Sequence, residues 1–259
     1  DCYVCALVVQ KKSTKEHLAG LALLDISTGR FQICEVSFSP KDPGALVDVF
    51  SRLRPAELLI PQAELDTLAP LTHLLSQQMG QLCLTARPDF HFETVTALAT
   101  LTEHFRTANL AGFGCDAYTA AIDAAGALLL YLRDTQKSEL AHVKRIMPLH
   151  QSGYLIIDDA SRRNLELTET LVGGQRQGSL LATLDRTATP LGARLLGRWL
   201  LFPLQDRKEI LRRLVGVEEL IEQPAVRNTL RSLLDSIYDL ERLSSRLVLG
   251  HGNARDLSA

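Results

Sequence analysis

The sequence predicts a two-part chain: a mixed β-sheet covered by helices, followed by an all-α domain. Three observations predict it. Apolar runs appear first as a hairpin and then alternate with helical spacing, the order that builds a mixed sheet with helices packed on it. Cys115–Arg133 is Ala-rich and apolar nearly all round, as a largely buried helix requires. Beyond Tyr154 the strand pattern gives way to one capped, helix-period segment after another.

The elements follow in order. Cys2–Val9, Gly20–Asp25 and Arg30–Val36 are β-rich, and Ser27-Thr28-Gly29 between the last two reads as a hairpin turn. Pro43–Leu53 has helical spacing with proline in the first turn. Glu57–Ile60 is a short buried strand halted by Pro61. Leu65–Met79 is a helix stopped by Gly80, and Gln81–Thr85 a further strand. Thr94–Arg106 and Cys115–Arg133 are helices. Residues 135–153 are polar, contain Pro148 and Gly153, and read as a connection between domains at 1–134 and 154–259. In the second domain Thr189-Pro190 opens a helix as N-cap and first-turn proline. Leu191, Leu195, Leu196 and Trp199 fall on one face of that helix. Asp206 and Glu209 have capping-box spacing ahead of Ile210, Leu211, Leu214, Val217, Leu220 and Ile221. Pro224–Leu234 and Asp239–Leu249 are two more helices.

Composition narrows the function classes. Hydrophobic content of 46% and charged content of 22% are those of a globular protein. No apolar run reaches the roughly 18–20 residues of a membrane span, and no secretory leader is recognisable. The chain opens on Asp1 and reads as cut from a longer protein. Its five cysteines, Cys2, Cys5, Cys34, Cys83 and Cys115, are expected to be reduced, buried thiols in a reducing, cytoplasmic compartment. Cys2 and Cys5 have metal-site spacing, but a strand turns them to opposite faces and no second pair accompanies them. Residues 1–150 carry 13 basic and 16 acidic side chains, net −3; residues 151–259 carry 15 and 14, net +1. Neither half has the basic excess of an autonomous duplex-binding domain.

Several separated blocks, in order, resemble the start of the core (lever) domain of the MutS DNA mismatch-repair family. They are Arg162-Arg163-Asn164-Leu165-Glu166, Leu184-Asp185-Arg186-Thr187, Thr189-Pro190, Gly192, Arg194-Leu195-Leu196, Arg198-Trp199-Leu200, Asp239-Leu240-Glu241-Arg242 and Arg255-Asp256-Leu257. The first half resembles that family's connector domain through Leu24–Phe31, Pro55–Leu59, Gly112-Phe113-Gly114, Tyr131-Leu132 and Thr135-Gln136. The resemblance implies an RNase H-like connector fold. It also implies a parent that binds mismatched duplex DNA and ATP with magnesium, recruits a MutL-type partner and forms a homodimer. The segment itself would hold no cofactor and catalyse nothing. Phe90-His91-Phe92-Glu93 lacks the Phe-x-Glu order of the mismatch-reading domain, and Gly173–Ser179 lacks the lysine of a phosphate loop.

The structural candidates are Arg162, Arg163, Asn164, Glu166, Asp185, Arg186, Arg194, Arg198 and Trp199. Their Arg density predicts ion-pair networks at a domain junction, with the neighbouring Arg162 and Arg163 pointing in different directions. The alternative is an RNase H-like, metal-dependent nuclease with a helical accessory domain. It requires at least two carboxylates, from Glu35, Asp116 and Asp123, to converge on Asp25. A turn-capping role for Asp25 is the competing reading. A helical interaction scaffold unrelated to DNA is a third. The seven histidines show no ligand pairing and are expected to be structural.

Overall fold

The computed structural model describes residues 3–79, 82–136, 140–149, 153–155, 157–250, 252–253 and 256. Cys2, His150, Arg255 and Leu257 therefore lie outside the described residues. The chain divides into two bodies, residues 1–150 with 242–258, and residues 151–241.

In the first body β1 (Tyr3–Lys11), β2 (His17–Asp25) and β3 (Arg30–Phe38) form an antiparallel meander. α1 (Gly44–Leu53) leads to β4 (Glu57–Pro61), parallel to β1, and α2 (Leu65–Met79) leads to β5 (Cys83–Arg87), parallel to β4. α3 (Thr94–Phe105) and α4 (Ala120–Gln136) follow, and then β6 (Ile146–Pro148), parallel to β3. The six strands run β5-β4-β1-β2-β3-β6.

Strand alternation splits the core into two layers. Val4, Ala6, Ala22, Leu24, Phe31 and Ile33 face α3 and α4. Cys5, Leu7, Leu21, Leu23, Cys34 and Val36 face α1 and α2. Close approach explains two glycines. A Cβ on Gly20 would lie 2.1 Å from the Ala120 carbonyl carbon, so α4 starts directly on β2. A Cβ on Gly126 would lie 2.3 Å from Ala97 Cα, so α3 and α4 cross backbone to backbone.

Four differences from the sequence reading stand out. The polar connection contains a strand: Leu140, Val143 and Ile146 are buried in the α3/α4-side core, and β6 extends the sheet. Three residues ending in proline carry too short a pattern to be seen as a strand. The buried helix begins at Ala120, five residues after Cys115, because Glu35 accepts the Thr119 and Ala121 amides at 2.7 and 3.1 Å. Cys83 is exposed on edge strand β5, while Cys5, Cys34 and Cys115 are buried. Residues 242–258 belong to the first body, where Leu249 packs against the α3/α4-side core.

The second body consists of α5 (Asp159–Asn164), α6 (Leu180–Leu184), α7 (Pro190–Leu201), α8 (Arg207–Glu222) and α9 (Pro224–Leu234), with α10 (Leu240–Val248) beginning at its end. Thr189 caps α7 by accepting the Gly192 amide at 3.0 Å. Asp206 caps α8 through the Lys208 amide at 2.8 Å; Glu209 pairs with Arg212, so no capping box closes. Among the described residues no helix is long and apolar enough to cross a membrane.

Candidate functional site

The density of predicted site residues begins at α5. Its N-cap Asp158 accepts the Ser161 amide at 2.6 Å, which turns Arg162 and Arg163 back toward Asp159. Arg162 Nη2 lies 2.6 Å from Asp159 Oδ1, both side chains buried, and Arg163 Nη2 lies 2.9 Å from Asp159 Oδ2. The two arginines thus share one carboxylate, contrary to the expectation that they diverge. Spacings of three and four residues from Asp159 put both within its reach on one helix face. Asn164 is exposed at the end of α5.

Glu166 follows in a left-handed conformation, φ 47°. Its carboxylate accepts the Leu171 amide at 2.6 Å, and its carbonyl accepts the Leu180 amide at 2.9 Å. Between these anchors the glycine-rich stretch is a hydrogen-bonded turn: Thr170 N donates to the Gln175 carbonyl, and Gln175 N to Thr170 Oγ1. Ser179, fully buried, caps α6 through the Ala182 amide. A phosphate cradle needs amides turned outward and a lysine; here two amides serve the turn itself, and Arg176 pairs with Asp185. Gly173–Ser179 therefore does not have the form of a phosphate cradle.

Asp185 ends α6 and takes the Thr187 amide and hydroxyl at 3.1 and 2.7 Å. Those bonds, with Arg176 beside it, hold its carboxyl below the usual range. Arg186 is exposed and donates to the Asp185 carbonyl. Arg194 on α7 grips Asp239 with both nitrogens, at 2.6 and 2.7 Å, and Glu241 at 2.6 Å, so its guanidinium stays charged. Such planar, bidentate pairing is what arginine does and lysine does not. Arg198 is partly buried, and its carbonyl accepts the Phe202 amide. Trp199 keeps one face under the Arg213 guanidinium, 3.7 Å from the ring centre. The structure thus gathers Arg162 and Arg163 on Asp159, sets Arg186 beside Asp185, and joins Arg194 to Asp239 and Glu241, while Glu166 and Trp199 make separate contacts. Asp159 and Arg213 carry no motif of their own in the sequence. Asp239 and Glu241 lie in a quoted block, but nothing in the sequence pairs them with Arg194.

Two of the candidate carboxylates of the first body, Asp25 and Glu35, serve backbone amides. Asp25 accepts the Ser27 amide and hydroxyl at 2.9 and 2.6 Å, and its carbonyl takes the Thr28 and Gly29 amides. Glu35 pairs across from Gly20, five residues from Asp25 along β2, which places them about 17 Å apart. That span exceeds anything one metal ion bridges. Asp116 is exposed. Asp123 is buried beside Gln10, Thr94 and Glu35; one oxygen has no partner, and burial raises its carboxyl. Among the described residues no three His, Cys, Asp or Glu side chains gather to hold a metal.

Fold and clusters together define an architecture of two linked domains, whose candidate polar residues cap, clasp and pair. Family comparison gives it a place. Residues 2–144 match the family model described as MutS domain II, and residues 160–259 match that of MutS domain III. Proteins named DNA mismatch repair protein MutS align along most of the chain. That of Symbiobacterium thermophilum is 41% identical over 93% of this chain and 27% of its own length. That of Myxococcus xanthus is 44% identical over 93% and 26%, and that of Trichormus variabilis 41% identical over 99% and 30%. The chain belongs to the MutS family of DNA mismatch-repair proteins. It spans somewhat over a quarter of the length of these relatives.

Proposed function

We propose that this chain is the connector and the first part of the core of a protein that binds mismatched duplex DNA, hydrolyses ATP and recruits a MutL-type partner in the cytoplasm. The parent acts as a homodimer and carries its ATP and magnesium site elsewhere. The first body is an RNase H-like connector that has exchanged catalysis for linkage. The observation that carries this reading is the use of its carboxylates: Asp25 and Glu35 bind turn and helix amides, the opposite of a metal-binding constellation. The second body supplies arginine clasps at Arg162, Arg163 and Arg194, which, with Asn164, Glu166, Asp185, Arg186, Arg198 and Trp199 around them, hold its segments in register while nucleotide state changes elsewhere. The connector surface meets the MutL-type partner.

The test uses the purified chain with a MutL-type protein, ATP and duplexes with and without a mispair. We expect co-elution with the MutL-type protein and no ATP turnover. DNA binding should be weak, steeply salt-dependent and indifferent to the mispair. Magnesium-dependent strand cleavage would overturn the reading in favour of the nuclease alternative.

A further inference from the structure

Residues 140–149 form a strap at the β3 edge of the sheet. Its Leu140, Val143 and Ile146 side chains are buried, and β6 and the Leu149 amide, which donates to the Ile33 carbonyl at 2.6 Å, lay its end along β3. Two imidazoles fasten its start. His104 of α3 donates from Nε2 to the Val143 carbonyl at 2.9 Å. Arg133 of α4, itself 3.6 Å from Glu103, reaches Nδ1 of the same ring at 3.3 Å, so both nitrogens are engaged. His142, on the strap, donates from Nε2 to the Ile26 carbonyl of the β2–β3 turn at 3.0 Å, and its Nδ1 is buried without a partner. Gly29 is the seat of that ring. A Cβ there would lie 2.7 Å from the His142 carbonyl oxygen and 2.8 Å from Cδ2, so strap and turn meet over bare backbone.

We propose that His142 is a proton-operated pin: the neutral ring fastens the strap to the β2–β3 turn, and protonation makes the strap open more often. The added proton sits on Nδ1, which no acceptor faces. A buried cationic donor without a partner is costly, and the cost disappears once the ring reaches solvent. Asp25, the charged group that acts on the ring from β2, favours the proton, as does the bond to Ile26; burial outweighs both and pulls the imidazole below its ordinary value. In the open strap the ring returns to that value. The open form therefore binds more protons and gains weight as pH falls through about 6.5. Buried Leu140, Val143 and Ile146 keep the closed form the major one throughout, so the proton changes the frequency of a local opening and not the fold. All of these contacts lie within the first body, whatever the parent binds.

Amide exchange of the whole chain, read residue by residue by NMR from about pH 8 to about pH 5 and corrected for the intrinsic exchange rate, tests it. We expect the protection of the Val143 and Leu149 amides to be level above neutrality and to fall below about pH 6.5, while the β1–β2 ladder shows no such fall. His142→Gln keeps a side-chain N–H for the Ile26 carbonyl and does not titrate, so its strap protection should stay level across the range. In the wild-type chain the His142 ring should titrate below about pH 6.5, and the loss of protection should stop once it has done so. Strap protection that stays level in the wild type overturns the proposal, and so does a fall that persists in His142→Gln. A wild-type ring that titrates at its ordinary value or above sinks it without any variant.

Discussion

At the scale of single residues, the same chemistry has opposite worth in two places. Asp123 is a buried carboxylate with one unpartnered oxygen, and burial raises its pKa. A raised carboxyl penalises the folded state once ionised. The penalty is full above the folded pKa and fades as pH falls through it toward the ordinary carboxylate value. Asp123→Asn should therefore stabilise the first body by about 1 kcal/mol at neutral pH. The gain should vanish near pH 4, the region of an unperturbed carboxyl. Thermal melts of both proteins across that range check it; a variant less stable at pH 7 would contradict it. Asp159 is the reverse case. It neutralises Arg162, itself buried, and also reaches Arg163. Asp159→Ala leaves a buried guanidinium without its counter-charge and should cost about 3 kcal/mol, measured by urea unfolding of the second body. A loss of only a few tenths would mean that Arg162 escapes to solvent.

At the scale of elements, what the sequence reveals depends on how local the cause is. The β1–β2–β3 meander, α2 and the Thr189-capped α7 are set by alternation, helical spacing and caps within a few residues of themselves, and their outlines are legible. The start of α4 is not, because its cap is Glu35, far away on β3. β6 is invisible because a three-residue strand exists only by pairing with β3. The site residues show the same division: Asp185 with Thr187 follows from adjacency, whereas Arg194 with Asp239 needs the fold. Crossings of elements are equally non-local, and the α3–α4 contact is among the tightest. Gly126→Val would drive a branched side chain into Ala97, where even a bare Cβ sits 2.4 Å from Ala97 Cβ. Neither neighbouring backbone can yield without lifting α3, so a loss of about 3 kcal/mol or more is expected in denaturant melts. The pair Gly126→Ala with Ala97→Gly, which returns part of the volume, should recover some of it; equal losses in both variants would place the strain elsewhere.

At the scale of the whole molecule, the two bodies are stabilised by different means. The first has two apolar layers on either side of one sheet, and β1, β2 and β3 are nine-residue strands paired along their length. In the second, α7, α8 and α9 bury no residue, and its order comes from caps, clasps and backbone turns. Hydrogen bonds and ion pairs in partly solvated settings are each worth about 1 kcal/mol or less, so clasps without a core cannot match two apolar layers. Unfolding should therefore be stepwise. Amide exchange should be slowest in β1–β3 and α4 and fastest in α8 and α9, and urea should release the helical segments before the sheet. A single cooperative transition with uniform protection would show instead that the clasps bind the helices as firmly as a core does.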